Sequence, residues 1–219
     1  YNYNDLGFQR RNNQQTIYLT GSYRILQPVG KYNNFNVNFR LFNNFLYKPG
    51  VYTGNSYRIG FYANTDKRFS FGLNVRGKIG KQKDFYEPRR AITEQRYLIR
   101  NSEINFDGFI STDFRKKFAF DLKGNTRKVF GTKETRFGFE FGPRYRFSNK
   151  MSLVYSIKYN NSKNEIGYAN NDMNDIIIGK RGSDSYENSL SGKYNFSTLS
   201  SISLSFRHYW QTVTYNSQL

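Results

Sequence analysis

Arginine and lysine recur on one parity of what read as extended segments: Arg40, Arg58, Arg76, Lys78, Lys123, Arg127, Arg144, Arg146, Lys158, Lys193 and Arg207. Fewer acids share that alternation, at Glu103, Asp107, Asp121, Glu140 and Glu187. Residues two apart in an extended chain point the same way, so these groups line one polar face. With 34 Lys+Arg against 16 Asp+Glu and a formal charge of +18, that face would attract anions. Catalysis is poorly served. His208 is the single histidine and stands beside Tyr209 and Trp210 on the apolar parity, where it reads as interfacial rather than as a base or metal ligand. Glu103 with Asp107, or Asp121 with Glu140, could meet across strands as glycosidase-like carboxylate pairs, but pairing with neighbouring Arg or Lys is simpler. There is no cysteine, hence no disulfide framework or thiolate site. The run 170–175 lacks the glycine and terminal glutamate of a calcium loop. The reading is no enzyme, no catalytic residue, no metal and no cofactor.

The elements that must carry these groups are strands. Phe69-Ser70-Phe71-Gly72-Leu73-Asn74-Val75 alternates apolar and polar residues without a break, the period of a half-apolar strand. Five strand pairs follow: 16–25 with 35–45, 57–63 with 69–79, 104–112 with 118–130, 137–147 with 151–159, and 186–196 with 202–210. Short turns at 27–30, 64–67, 113–116, 148–150 and 197–200 close them. Longer polar connections, such as 80–101 and 160–185, are expected at the opposite end. Ile176, Ile177 and Ile178 either extend the last pair or form a separate strand. Pro143 predicts a bulge or an edge.

The second parity is apolar. It collects Phe35, Val37, Phe39 and Leu41, then Tyr57, Ile59 and Phe61, and so on to Ile202, Leu204, Phe206 and Trp210. His208 is the one ionisable residue there. A charge on the lipid face costs roughly 2–4 kcal/mol at the bilayer midplane, and its exclusion is what lipid would select. The core of a soluble sandwich would exclude charge as well. Composition separates the two: 21 Phe and 19 Tyr with only 37% hydrophobic residues suit a lipid-facing wall with aromatic girdles better than a close-packed core. No stretch is apolar enough for a membrane helix. A single-stranded nucleic-acid platform would need aromatics and cations on one surface, and here they are opposed.

Asn4-Asp5-Leu6-Gly7-Phe8-Gln9-Arg10-Arg11-Asn12-Asn13, Arg100-Asn101-Ser102-Glu103, Ile178-Gly179-Lys180-Arg181 and Ser203-Leu204-Ser205-Phe206-Arg207-His208-Tyr209-Trp210 carry a family likeness. Together they resemble the C-terminal β-barrel domain, of unassigned function, of large Bacteroidota envelope proteins with an N-terminal carbohydrate-binding domain of the family 9 type. The resemblance spans essentially the whole chain. It implies an outer-membrane location, an upstream sugar-binding domain and further strands past Leu219, with no catalytic residues to carry over.

The expectation is therefore all-β: an antiparallel transmembrane β-barrel in the outer membrane, one domain over 1–219 with about ten strands, as a piece of a larger barrel. Arg40, Arg58, Arg76, Lys78, Lys123, Arg127, Arg144, Arg146, Lys158 and Arg207 would line its lumen. Tyr57, Tyr145 and Trp210 would sit at the membrane interface. The expected function is an anchor, and a solute channel with a basic lumen, for a carbohydrate-handling envelope protein. The alternatives are a structural subunit docking through 80–101, or less readily a glycan-processing enzyme. Expected partners are outer-membrane lipid, other envelope proteins, and glycans through the missing domain, but no nucleic acid.

Overall fold

The computed structural model describes residues 13–172 and 175–218. The period-two segments form β1 (Gln14–Ile25), β2 (Tyr32–Leu46), β3 (Tyr52–Thr65), β4 (Ser70–Lys78), β7 (Glu103–Ser111), β8 (Phe118–Val129), β9 (Thr135–Arg146), β10 (Met151–Asp172), β11 (Asp175–Asn195) and β12 (Ser201–Gln218). These ten pair with their sequence neighbours in one antiparallel sheet. Two short strands, β5 (Gln82–Asp84) and β6 (Leu98–Arg100), form a separate hairpin between β4 and β7.

Register decides which side chains share a face. Following directly opposed residues from Trp210 leads through Tyr186, Tyr159, Phe139, Gly124, Gly108, Leu73 and Phe61 to Val37 and Tyr23. This row, on the predominantly apolar face, is thus built of aromatic, aliphatic and glycine positions. That face is uncovered: Leu204 is 77% and Phe206 66% exposed. Only five described hydrophobic residues are buried, Leu46, Ala63, Phe85, Ala119 and Val129. A sandwich would need a second sheet on the apolar face, and the only other sheet among the described residues is the small β5–β6 hairpin. Among the described residues no second layer covers that face as a sandwich would.

Three expectations change. The sheet is open, because β1 and β12 each have one neighbour and do not pair with each other. Closing it would take a hydrogen-bond ladder along both free edges. Residues 160–185 are not a loop. The ladder continues from Asn160 opposite Ser185 to Asp172 opposite Asp175, with register shifts after Ser162 and Tyr168. Ile176, Ile177 and Ile178 therefore lengthen β11, while Met173 and Asn174 of the 170–175 run lie outside the described residues. Pro143 makes neither an edge nor a bulge. It faces Phe120 of β8 in normal register, and the β9–β10 pairing lapses only between Arg144 and Phe141 without a shift. One missing donor costs one interruption in the ladder.

The connections also differ from the expected asymmetry. The 47–51 and 130–134 links are as short as the turns at the other end, and the loop end is marked by the long β10–β11 hairpin and by 79–102. That segment folds inward over the polar face. Gln82 is buried and its Oε1 accepts a hydrogen bond from the Asn55 amide of β3 at 2.7 Å. Glu87 accepts one from the Tyr168 amide of β10 at 2.8 Å. β3 and β10 are five strands apart in the sheet, about 24 Å at normal strand spacing. A segment touching both crosses the concavity as a chord. Phe85, buried and 5.0 Å from the Tyr97 ring centroid, gives it a small apolar centre.

Candidate functional site

The polar face carries its charges in ordered rows. On one row Arg40, Arg58 and Arg76 are directly opposed across β2, β3 and β4, and the row continues through Asn105, Arg127 and Arg136 to Ser162. Five arginines thus form a belt from β2 to β9. Toward the short turns the next row runs Ser22, Asn38, Gly60, Asn74, Asp107, Asn125, Gly138, Asn160 and Ser185. A third row alternates in sign: Lys123, Glu140, Lys158 and Glu187 on β8 to β11.

Most of these cations have a carboxylate. Arg76 forks onto Asp107 with contacts of 2.6–3.0 Å. Glu103 takes Arg127 at 2.6 Å and Lys78 at 3.0 Å. Arg136 meets Glu165 at 2.9 Å, Lys123 meets Glu140 at 2.8 Å and Arg207 meets Glu187 at 2.7 Å. Opposite charges across strands stabilise a sheet, and like charges directly opposed destabilise it. The acids are therefore placed where the belt needs them, except at β2 and β3. Of the acids suggested as glycosidase-like pairs, Glu103, Asp107 and Glu140 are each ion-paired with a cation, while Asp121 is opposed by Ser111 and Gly142 and makes no ion pair among the described residues.

At the short-turn end Arg144 lies with its guanidinium 4.5 Å from the Phe114 ring centroid. Arg146 Nη2 donates to the Phe114 carbonyl at 3.0 Å. These two close the base of the polar face and are set apart from the belt. All ten basic residues singled out from the sequence share this face: Arg40, Arg58, Arg76 and Arg127 in the belt, Lys123 and Lys158 in the alternating row, Arg144 and Arg146 at the base, and Lys78 and Arg207 tied to Glu103 and Glu187.

Several contributors were missed by reading the sequence. Arg136 stands just before the alternating run that begins at Phe137, although its even numbering matches Arg144 and Arg146 and could have found it. Glu134, Glu165 and Arg100 gave no periodic signal because Glu134 lies in a link, Glu165 follows a bulge and Arg100 ends the three-residue β6. Arg100 reaches Glu87 at 3.1 Å, Asp84 at 3.8 Å and the Ile166 carbonyl, pinning the inward-folded segment. Beneath it a cavity of about 270 Å³ is lined by Lys81, Arg100, Glu103, Arg127 and Glu134, among others. Glu134 is buried, and burial pushes its carboxyl up from the ordinary value although Arg127 and Arg100 pull it down. Its Oε1 lies 3.1 Å from Arg127 Nη1 without the alignment of a hydrogen bond.

Polar-face aromatics were also missed: Tyr18 packs near Phe42, and Tyr62 stacks on Phe109 at 6.1 Å.

On the opposite face Trp210 stacks on Tyr186 at 5.7 Å, and Tyr186 meets Tyr159 at 4.7 Å. Tyr145 sits edge-on to Phe147 at 4.8 Å. Tyr57 covers Gly77, where an added Cβ would clash with its ring and hydroxyl. The face turns polar beyond Trp210, Tyr186 and Tyr159, with Thr212, Asp184 and Asn161. His208 lies inside β12 rather than near its end, because that strand continues to Gln218. It is opposed by Asn188, whose Oδ1 accepts from the Tyr155 hydroxyl at 3.0 Å.

No curated protein and no solved structure matches the chain. The 4–12 part of the recognised motifs lies outside the described residues, but a family match extends along the entire sequence. Matching it over residues 1–219, the chain belongs to the family described as Domain of unknown function (DUF5916).

Proposed function

We propose that this domain is an arc of outer-membrane β-barrel wall, with its apolar face toward lipid and its arginine belt toward a water-filled lumen. It anchors an envelope protein that handles carbohydrate and passes small anionic solutes beneath the inward-folded 79–102 segment. One observation carries the reading: an uncovered sheet face free of acids, lysines and arginines from Ile202 to Trp210 on β12 and from Phe137 to Tyr145 on β9. In water such a surface would be an aggregation hazard, and in lipid it is the stable state.

The stagger of the face supports the same arrangement. On β12 the apolar stretch ends at Trp210, whose row passes through Val37, while on β2 the apolar positions run on to Leu41. A band of constant height that crosses the rows obliquely is what tilted barrel strands produce. The carbohydrate link and the Bacteroidota envelope rest on the family resemblance. The scaffold-subunit reading is less favoured, because Asp84, Glu87 and Arg100 of its contact segment are engaged internally.

Trp210 is the only tryptophan of the domain and makes the test direct. In the full-length protein reconstituted in lipid, spin-labelled lipids should quench the Trp210 signal, taken as the difference from a Trp210→Phe variant. Shallow labels should quench more than mid-chain ones. Absence of quenching by any lipid label sinks the membrane reading. Planar-bilayer recordings test the channel separately. Anion-preferring conductance that rises when 82–100 is replaced by a short linker is expected, and no conductance in either form removes the channel.

A further inference from the structure

The arginine belt is balanced everywhere but at its β2–β3 end. Arg40 and Arg58 are directly opposed, and Arg58 is also opposed by Arg76, so three guanidinium-bearing positions follow one another across adjacent strands. Arg76 is taken by Asp107. Among the described residues no ion pair or side-chain hydrogen bond engages Arg40 or Arg58, and the Arg58 Nε is buried without a partner. The cause lies in the sequence: no acid occurs between Asp5 and Asp66, so β1, β2 and β3 bring cations and nothing to neutralise them. A buried donor without an acceptor, between two like charges, is costly. Its persistence needs a reason outside the fold.

A concavity of about 560 Å³ opens beside Arg58, lined also by Phe42, Ser56, Arg76, Lys78 and Glu103, among others. Glu103, the one acid there, is already shared by Lys78 and Arg127. Next to the arginine pair stand Thr20 on the same row and Asn38 and Asn74 on the adjacent one. The planar guanidinium fork matches the oxygens of a carboxylate or sulfate. Amides and hydroxyls suit sugar hydroxyls, and Phe42 offers a flat apolar surface.

We propose that Arg40 and Arg58 bind the carboxylate or sulfate group of an acidic glycan strand, with Asn38, Asn74 and Ser56 taking its hydroxyls. This rests on the reading of the arginine-bearing face as a solvent-filled lumen. The site supplies the oxyanion that β1–β3 lack, so the ligand acts as the missing counter-charge.

The test uses the full-length protein in detergent, titrated with an oligogalacturonate, a sulfated oligosaccharide, a neutral maltooligosaccharide and inorganic sulfate. The acidic oligosaccharides should bind in a salt-sensitive manner, and the other two should bind at least about tenfold more weakly. The double variant Arg40→Gln/Arg58→Gln should lose about tenfold or more in affinity for the acidic chains. Lys158→Gln, which removes one positive charge from β10, should change it by less than about threefold.

Because the change relieves like-charge repulsion, the double variant should keep or raise the thermal midpoint. Unchanged binding in that variant overturns the site. An equal loss in Lys158→Gln shows a diffuse field and overturns it too. Inorganic sulfate binding as tightly as the oligosaccharides removes the glycan. A lowered midpoint marks the arginines as structural. Conductance recorded on the same preparation separates the two failures: conduction without binding sinks only the site, and loss of both sinks the lumen as well.

Discussion

Charge placement at single residues has measurable consequences in the links and turns outside the ten-stranded sheet. Glu134 lies in the 130–134 link, and burial raises its carboxyl above the ordinary 4.5. An acid with a raised value in the folded state binds its proton more tightly there than in the unfolded chain. Its contribution is therefore most favourable at low pH and is lost as pH climbs through the raised value. The thermal midpoint of Glu134→Gln should fall less than the parent's between about pH 4.5 and 7; parallel profiles would contradict this. Asp113, in the 112–117 turn, shows the opposite sign. The Arg115 guanidinium holds it well below the usual carboxylate range, so its stabilising share is present above its unfolded value and disappears only in strong acid.

At the scale of elements, the 79–102 segment is the part whose behaviour the alternating pattern did not foretell. It has no long apolar stripe, yet it is pinned at β3 through Gln82 and at β10 through Glu87 and Arg100. Arg100 and Glu87 are both mostly shielded, with side-chain exposures of 22% and 28%. Removing this charge-assisted tie should cost about 1–2 kcal/mol of local stability. Arg100→Ala should speed amide exchange across 82–100 roughly tenfold, with β8 and β9 unaffected. Exchange that stays slow would mean that Gln82 and Phe85 hold the segment without it. The β10–β11 hairpin shows the converse. Its polar composition reads as loop, but cross-strand pairing over Asn160–Asp172 and Asp175–Ser185 keeps it extended, because ladder bonds are satisfied whatever the side chains are.

For the whole molecule the open edges are decisive. β1 and β12 each expose one line of backbone donors and acceptors, and no such line is tolerated in hydrocarbon. If the domain lies in a bilayer, both edges are covered, by further strands or by a second copy. On that reading, in the intact protein reconstituted in lipid, the β12 amides that point away from β11 should exchange as slowly as those that bond to it. Fast exchange on that side alone would fit an open sheet in water and would count against the bilayer. The same reasoning places β1 to β3, rich in cations and empty of acids, at one edge of the sheet, where whatever covers β1 lies close to Arg24.

Local pattern determined a great deal here. Period-two alternation is a property of neighbouring residues, so strand type, the two faces and the ten basic positions on one face were legible without coordinates. Register is not local. Arg40, Arg58 and Arg76 stand 18 residues apart, and only ladder pairing shows that they oppose one another while Asp107 reaches the third alone. The inward fold of 79–102 and the extension of β10 and β11 depend on contacts between distant segments. The free edges are a property of the sheet as a whole. A strand announces its faces by its own residues, but which strand lies beside it, and at what offset, is set by the hydrogen bonds between them.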